Sequence, residues 1–410
     1  MFGIVCIFIV YFKYFEEVFS LAFDFDTPVD RRGTGCEKWD GVKEVFGKEG
    51  LLPFWVADMD FKSAPEIIDA LREKVDFGVF GYPQMTESAR RAVADWQRTR
   101  HGWNVDPSEV DFVPGVVTGL VAGIEAFTKP DDGIVIQTPV YPPFFRVVRA
   151  NGRQIVENPL REEEGRFVMD FDNLRSVLTP NVKAILLCSP HNPVARVWTA
   201  AELKELAAIC IERDIIVLND EIHQDLAFSD YKHIPLGLAA PELNSRLVTL
   251  VAPSKTFNIA GLSASAWIAK DKRIAEQMLA TLERLHMSTI NMMAVTGLEA
   301  AYTKGAPWLD AVMAYLEKNR DFVESFLREK LPRVGLKHPE GTFIFWLDFR
   351  DYGLHNDELQ RILVEEAGVA LNPGTNFGAQ GDGFARLNVG CPKSQLEEGM
   401  NRIAKAFTGR

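Results

Sequence analysis

Residues 184–223, AILLCSPHNPVARVWTAAELKELAAICIERDIIVLNDEIH, decide the fold. Ala184 to Cys188 form an apolar run of buried-strand type, and the loop SPHNPVARVW follows it. Thr199 with Glu202 forms a capping box for a helix whose Leu203, Leu206, Ala207 and Cys210 share one face. Ile215 to Leu218 is again short, apolar and β-branched, and it runs straight into Asn219, Asp220, Glu221 and His223. Strand, helix and strand in this order predict a parallel unit. Similar units flank it: Ile134 to Gln137 leads into TPVYPP, and Leu247 to Ala252 leads into PSKTFN. Further upstream, Val110 to Val113 precedes PGVVTG and an apolar helical stretch through Leu120, Val121 and Ile124. That arrangement offers free backbone N–H groups and a positive dipole end to an anion. The fold class is therefore α/β, with a mostly parallel central sheet whose strands end in polar or aromatic clusters on the carboxyl side. Such sheets bind their ligands at that edge.

A chain of 410 residues is too long for one ordinary core, and its pattern divides it. Residues 66–305 read as a large domain. Residues 306–410, with a helical pattern from about Pro307 and a strand at Phe343 to Phe349, read as a smaller α+β domain completed by residues 23–65. Residues 1–22 contain the continuously apolar Gly3 to Phe12, which is too short to cross a bilayer at roughly 20 residues per helix. It lacks the flanks of a secretory signal and reads as an extension, with a membrane-surface anchor as the lesser alternative. The excess of 57 acidic over 45 basic residues repels nucleic-acid backbone and anionic lipid, leaving small molecules or proteins as partners. Five cysteines, odd in number and without CxxC spacing, argue against a disulfide framework and against a zinc site, and no metal is expected. A reducing cytoplasm suits them.

Three residues stand where chemistry is expected. Lys255 follows a buried strand, and an ammonium placed there costs several kcal/mol unless it is paired or neutralised. Taken alone it reads more readily as a surface-loop lysine. Asp220 at a strand end can hold a pyridine nitrogen protonated, or simply close a turn. Asn192 can donate to a phenolate oxygen, although Asn-Pro also makes turns.

The spacing of Asn192, Asp220 and Lys255 resembles the core of fold-type I pyridoxal-phosphate enzymes of the aminotransferase class I/II group. LPFWVADMDF at 52–61, SPHNPVARVWT at 189–199, DEIHQDL at 220–226, SKTFNIAGL at 254–262 and GFARLNVGCP at 383–392 narrow this to a resemblance to the MalY/PatB-type cystathionine β-lyases. The likeness runs from about Phe23 to the end. It implies the cofactor pyridoxal 5′-phosphate and β-elimination from L-cystathionine or another S-substituted cysteine, giving a thiol, pyruvate and ammonia. By the same likeness Lys255 would carry the cofactor as an imine and move the proton, Asp220 would pair with the pyridinium, and Tyr141 would stack on the ring. His223 and Asn192 would serve the ring oxygen. Val116 and Val117, through backbone N–H groups, and the Ser254 hydroxyl would hold the phosphate. Arg386, with Asn192, would take the substrate α-carboxylate in the fork that guanidinium provides. Tyr82 would reach the phosphate of a neighbouring subunit, which implies a homodimer with shared sites. An aminotransferase uses the same cofactor residues, and a regulatory protein-binding role on the same fold is a further alternative. Two departures from the family text stand beside the cofactor loops. Ala195 replaces a usual glycine, harmless if its φ stays negative, and Thr118-Gly119 replaces Pro-Ala.

Overall fold

A computed structural model describes residues 23–410. The apolar run Gly3 to Phe12 lies outside the described residues.

Seven strands build the central sheet: β1 (Val110–Val113), β2 (Gly133–Ile136), β3 (Gln154–Glu157), β4 (Val182–Cys188), β5 (Ile216–Asp220), β6 (Leu247–Val251) and β7 (Ser265–Ile268). Their order is β1-β7-β6-β5-β4-β2-β3. The neighbours from β6 through β5, β4 and β2 to β3 are parallel, while β7 runs antiparallel to both β6 and β1. β4, β5 and β6 are buried along almost their whole length, as strands covered by helices on both faces must be. Their register brings the carboxyl ends level, with Cys188 opposite Asp220 and Asp220 opposite Leu250. Strand ends predicted as functional therefore share one edge.

Helix α1 (Val116–Phe127) follows β1, α2 (Pro142–Ala150) follows β2, and α3 (Ala200–Glu212) links β4 to β5. The α3 capping box forms as expected: Thr199 Oγ1 accepts from Glu202 N at 3.2 Å, and Glu202 Oε2 accepts from Thr199 N at 2.8 Å. α1 lies directly on the sheet because Gly119 and Gly123 carry no side chain. A Cβ at Gly119 would run into Leu250, and one at Gly123 into Leu218. The Thr118-Gly119 departure is thus a packing choice that lets the helix approach closely.

A second, antiparallel sheet contains β8 (Gly335–Leu336), β9 (Ile344–Asp348), β10 (Asn372–Pro373) and β11 (Phe384–Asn388), in the order β8-β9-β11-β10. The long helix α4 (Ala306–Lys330) precedes it. Leu52–Pro53 pairs in parallel with Val369–Ala370, so the start of the described chain is tied to its last hundred residues. Most predicted strands differ from the observed ones only by a residue or two at their ends, the usual ambiguity of a fraying boundary. β3 and β7 of the central sheet, and β8, β10 and β11 of the second, are strands that no sequence pattern announced.

Ala195 adopts φ +57°, so the condition under which its replacement of glycine would be harmless is not met. The left-handed conformation costs an L-residue with a Cβ about 1–2 kcal/mol. The turn is held regardless: Ala195 N donates to His191 O at 2.9 Å, and Ala195 O accepts from Glu340 N at 2.9 Å.

Candidate active site

Lys255, Asp220, Asn192, His223, Ser254, Tyr141, Val116 and Val117 line one cavity of about 260 Å3 at the carboxyl edge of the central sheet. They arrive there from five strand ends. Asp220 is the last residue of β5, His223 lies in the turn beyond it, and Asn192 follows β4. Ser254 and Lys255 follow β6, Tyr141 precedes α2, and the two valines open α1. The α1 N-terminus has Gly115 as its cap, at φ +99° and with no capping side chain, so the first N–H groups have no partner within the helix and face the cavity. An anion fits that end.

Burial sets the protonation states. It pushes the Asp220 carboxyl up to about 7, against the opposing pull of the Ile222 N–H, which donates to Asp220 Oδ1 at 3.0 Å, and of Lys255. Burial lowers the Lys255 amine; Arg386 lowers it further, while Asp58, Asp220 and Glu37 raise it. Lys255 Nζ donates to Ala57 O at 2.6 Å. His223 is driven down to about 3 by burial, aided by Lys255 and Arg386, so its imidazole is neutral at physiological pH. Its Nδ1 has no partner.

Arg386, on β11, is buried and faces no carboxylate. Its Nη1 donates to Asn192 Oδ1 at 3.2 Å, its Nη2 donates to Trp55 O at 2.6 Å, and its guanidinium lies 4.9 Å from the Phe377 ring centroid. Burial brings its ordinary value down to about 10, leaving it charged at neutral pH, and its Nε lacks a partner. A buried guanidinium with an unused donor and no acid beside it is a receptor for an anionic group. Because arginine only donates, Asn192 turns its oxygen to Arg386, which leaves the amide N–H2 group for the cavity.

These features fit a pyridoxal phosphate. Val116 and Val117 N–H groups and the Ser254 hydroxyl could hold its phosphate, Asp220 could face the ring nitrogen, and Asn192 and His223 could serve the ring oxygen. Lys255 offers the amine. The unpaired His223 Nδ1 and the uncapped α1 terminus are the polar groups such a ligand would satisfy. Tyr82 is not brought to the cavity of its own chain; it is fully exposed, in a loop beside the exposed Phe77, Val79 and Phe80. Among the described residues no cluster of His, Cys, Asp and Glu could hold a metal ion.

Sequence reasoning missed the backbone contribution of residues 55–58. LPFWVADMDF is distinctive as text, but the carbonyl oxygens of Trp55 and Ala57, which accept from Arg386 and Lys255, carry no side-chain signal. Cys188 also lines the cavity without having been singled out as a site residue, and Thr118, noted above only as a departure from the family text, lines it too.

Comparison with known proteins gives a consistent set of likenesses. Residues 51–403 match the family described as aminotransferase class I and II. The chain is 44% identical over 386 residues, 94% of its own length and 100% of the relative's, to cystathionine beta-lyase PatB of Bacillus subtilis (strain 168). It is 36% identical over 388 residues, 94% and 99% of the two lengths, to Protein MalY of Escherichia coli (strain K12). Its fold is similar, at a TM-score of 0.91 and 34% identity over 94% of this chain and 98% of the other, to the crystal structure of cystalysin from Treponema denticola, which contains a pyridoxal 5′-phosphate cofactor.

Proposed function

Since this chain belongs to the aminotransferase class I and II family, we propose that the cavity around Lys255 breaks the carbon–sulfur bond of cystathionine or a related S-substituted cysteine. The protein is a pyridoxal 5′-phosphate-dependent carbon–sulfur β-lyase. The observation that carries this is the burial of Lys255 and Asp220 in the lining of one cavity, with Arg386 buried behind it and bonded to the lining residue Asn192, in a chain that aligns with the whole length of a cystathionine β-lyase.

When bound, the cofactor supplies an electron sink for the pair left on the substrate α carbon. The protein supplies the rest. Arg386, held by Trp55 O and Asn192 Oδ1, receives the α-carboxylate through its remaining donors and so fixes which substituent faces Lys255. Lys255 Nζ, lowered by burial, takes the α proton as general base and returns a proton during product release. Asp220 would pair with a protonated ring nitrogen, and neutral His223 would serve the ring oxygen without adding a second cation next to Lys255. Loss of the β-thiolate from cystathionine gives homocysteine, and the three-carbon remainder hydrolyses to pyruvate and ammonia.

The site is shared in a homodimer. The exposed apolar run Phe77, Val79, Phe80 and Tyr82 supports this, because such a contiguous patch on a soluble chain marks an interaction surface. Tyr82 then completes the partner's phosphate site. The division into 66–305 and a small unit of 306–410 with 23–65 is supported by the central sheet lying wholly within the former and by the Leu52–Pro53 to Val369–Ala370 pairing. No helix among the described residues is long and apolar enough to cross a membrane, and Cys36, Cys188, Cys210 and Cys391 are free thiols. Both support a cytoplasmic location.

Incubation with L-cystathionine tests the function. Equal amounts of pyruvate and thiol should form with no added 2-oxo acid. Turnover that requires a 2-oxo acid and releases no thiol would make the protein an aminotransferase instead.

A further inference from the structure

The segment Trp55–Asp60 touches both working ends of the site. Trp55 O accepts from Arg386 Nη2 at 2.6 Å, and Ala57 O accepts from Lys255 Nζ at 2.6 Å. The segment belongs to neither strand edge of the central sheet, so something else must fix it. Its far end is gripped by ionic contacts from the stretch before it. Lys38, with no exposed surface, donates to Asp60 Oδ2 at 2.6 Å, and Trp39 Nε1 donates to Asp60 Oδ1 at 2.9 Å. Arg31 donates to Asp58 Oδ2 at 2.6 Å through Nη2 and to Asp60 Oδ1 at 2.7 Å through Nη1. Lys38 also closes a loop on the near end, where its carbonyl accepts from Trp55 Nε1 at 2.9 Å. Burial works against the Asp60 charge, but Lys38, Trp39 and Arg31 outweigh it and hold the carboxyl below its ordinary value.

A fully buried lysine is costly unless its pairing serves a purpose. We infer that Lys38 and Arg31 are positioning residues: through Asp58 and Asp60 they lock the segment 55–60, so that its Trp55 and Ala57 carbonyls aim Arg386 at the substrate carboxylate and hold Lys255 in place. Neither touches the reacting atoms. The inference rests on the roles given to Lys255 and Arg386 above.

The test separates this clasp from both a merely structural role and the lyase reading. The double variant Lys38→Met with Asp60→Asn removes one charge of each sign, so a simple field effect on Lys255 largely cancels. In the full-length, cofactor-free protein, Lys255 is labelled with acetic anhydride across a pH series and quantified by mass spectrometry. The expected result is a Lys255 midpoint about one pH unit lower than wild type, the loss of one hydrogen bond to a charged donor. In the cofactor-loaded protein KM should rise about tenfold or more, with a smaller change in kcat. A folded double variant with the wild-type midpoint and KM overturns the inference. If the double variant does not fold, Arg31→Gln at the partly exposed end decides. Its field effect alone would raise the midpoint, so a fall supports the clasp and a rise or no change overturns it. If the wild type cleaves no carbon–sulfur bond while the midpoint still falls, the clasp stands and the lyase reading falls.

Discussion

Replacing Asp220 by asparagine should stabilise the cofactor-free protein above neutral pH, although it removes the group proposed to face the ring nitrogen. Asp220 is buried beside Cys188 and Leu250, and its carboxyl is pushed up to about 7 from an ordinary 3.8. The folded state thus binds a proton between those values that the unfolded state has released, and stability falls as pH rises through that window. The gap of roughly three pH units, at 1.36 kcal/mol per unit, sets a ceiling of about 4 kcal/mol. About 2–3 kcal/mol of it falls between pH 5 and pH 8. Asparagine is nearly isosteric and does not ionise. Urea unfolding of the two cofactor-free proteins at pH 5 and pH 8 should therefore show Asp220→Asn gaining on wild type by about that amount between the two values. Loading the cofactor should reverse the order, because wild type then gains an ion pair at the ring nitrogen that the variant lacks. If the difference between the two cofactor-free proteins is the same at both pH values, Asp220 is not a destabilising buried acid and its assignment to the ring nitrogen loses its physical basis.

Arg386→Lys, with one point charge in place of a planar fork, should lower kcat/KM by about 10²-fold or more, mostly through KM, as steady-state assays would show. Borohydride reduction of the cofactor-loaded protein should fix the cofactor on Lys255 as identified by peptide mapping, and Lys255→Ala should lose both the label and pyruvate formation. Ala195→Gly relieves a left-handed alanine at about 1–2 kcal/mol while giving up about 0.4–1 kcal/mol of unfolded-state restriction. It should raise the thermal midpoint by about 1–2 °C, and an unchanged or lower midpoint would show that burial of the alanine methyl compensates the strain.

The central sheet was legible because β4, β5 and β6 must be buried on both faces, and their apolar β-branched runs cannot be mistaken for solvent-facing segments. The site followed from the same rule, since Asn192, Asp220 and Lys255 come directly after those runs. Ser265–Ile268 stayed hidden because four residues of mixed character have no readable period, and only pairing with β6 and β1 makes them a strand. Ala195 shows another limit. A backbone angle is set by the turn around it, here by bonds to His191 and Glu340, and an alanine reveals none of this. The grip of Lys38 on Asp60 was illegible for a third reason: 22 residues separate them, and ion pairs leave no local pattern.

The bond between Arg386 and Trp55 O spans 331 residues of chain. During synthesis, at about 5–20 residues per second, Trp55 leaves the ribosome roughly 15–65 s before its partner exists. The central sheet can be complete by then, with Lys255 and Asp220 already at its edge, but Arg386, the proposed receptor of the substrate carboxylate, has not been made. A growing polypeptide can therefore hold the phosphate end of the cofactor well before it can select an amino acid. With Arg386 in its proposed role, competence for turnover waits for that residue, and a product that stops short of it should not turn over substrate.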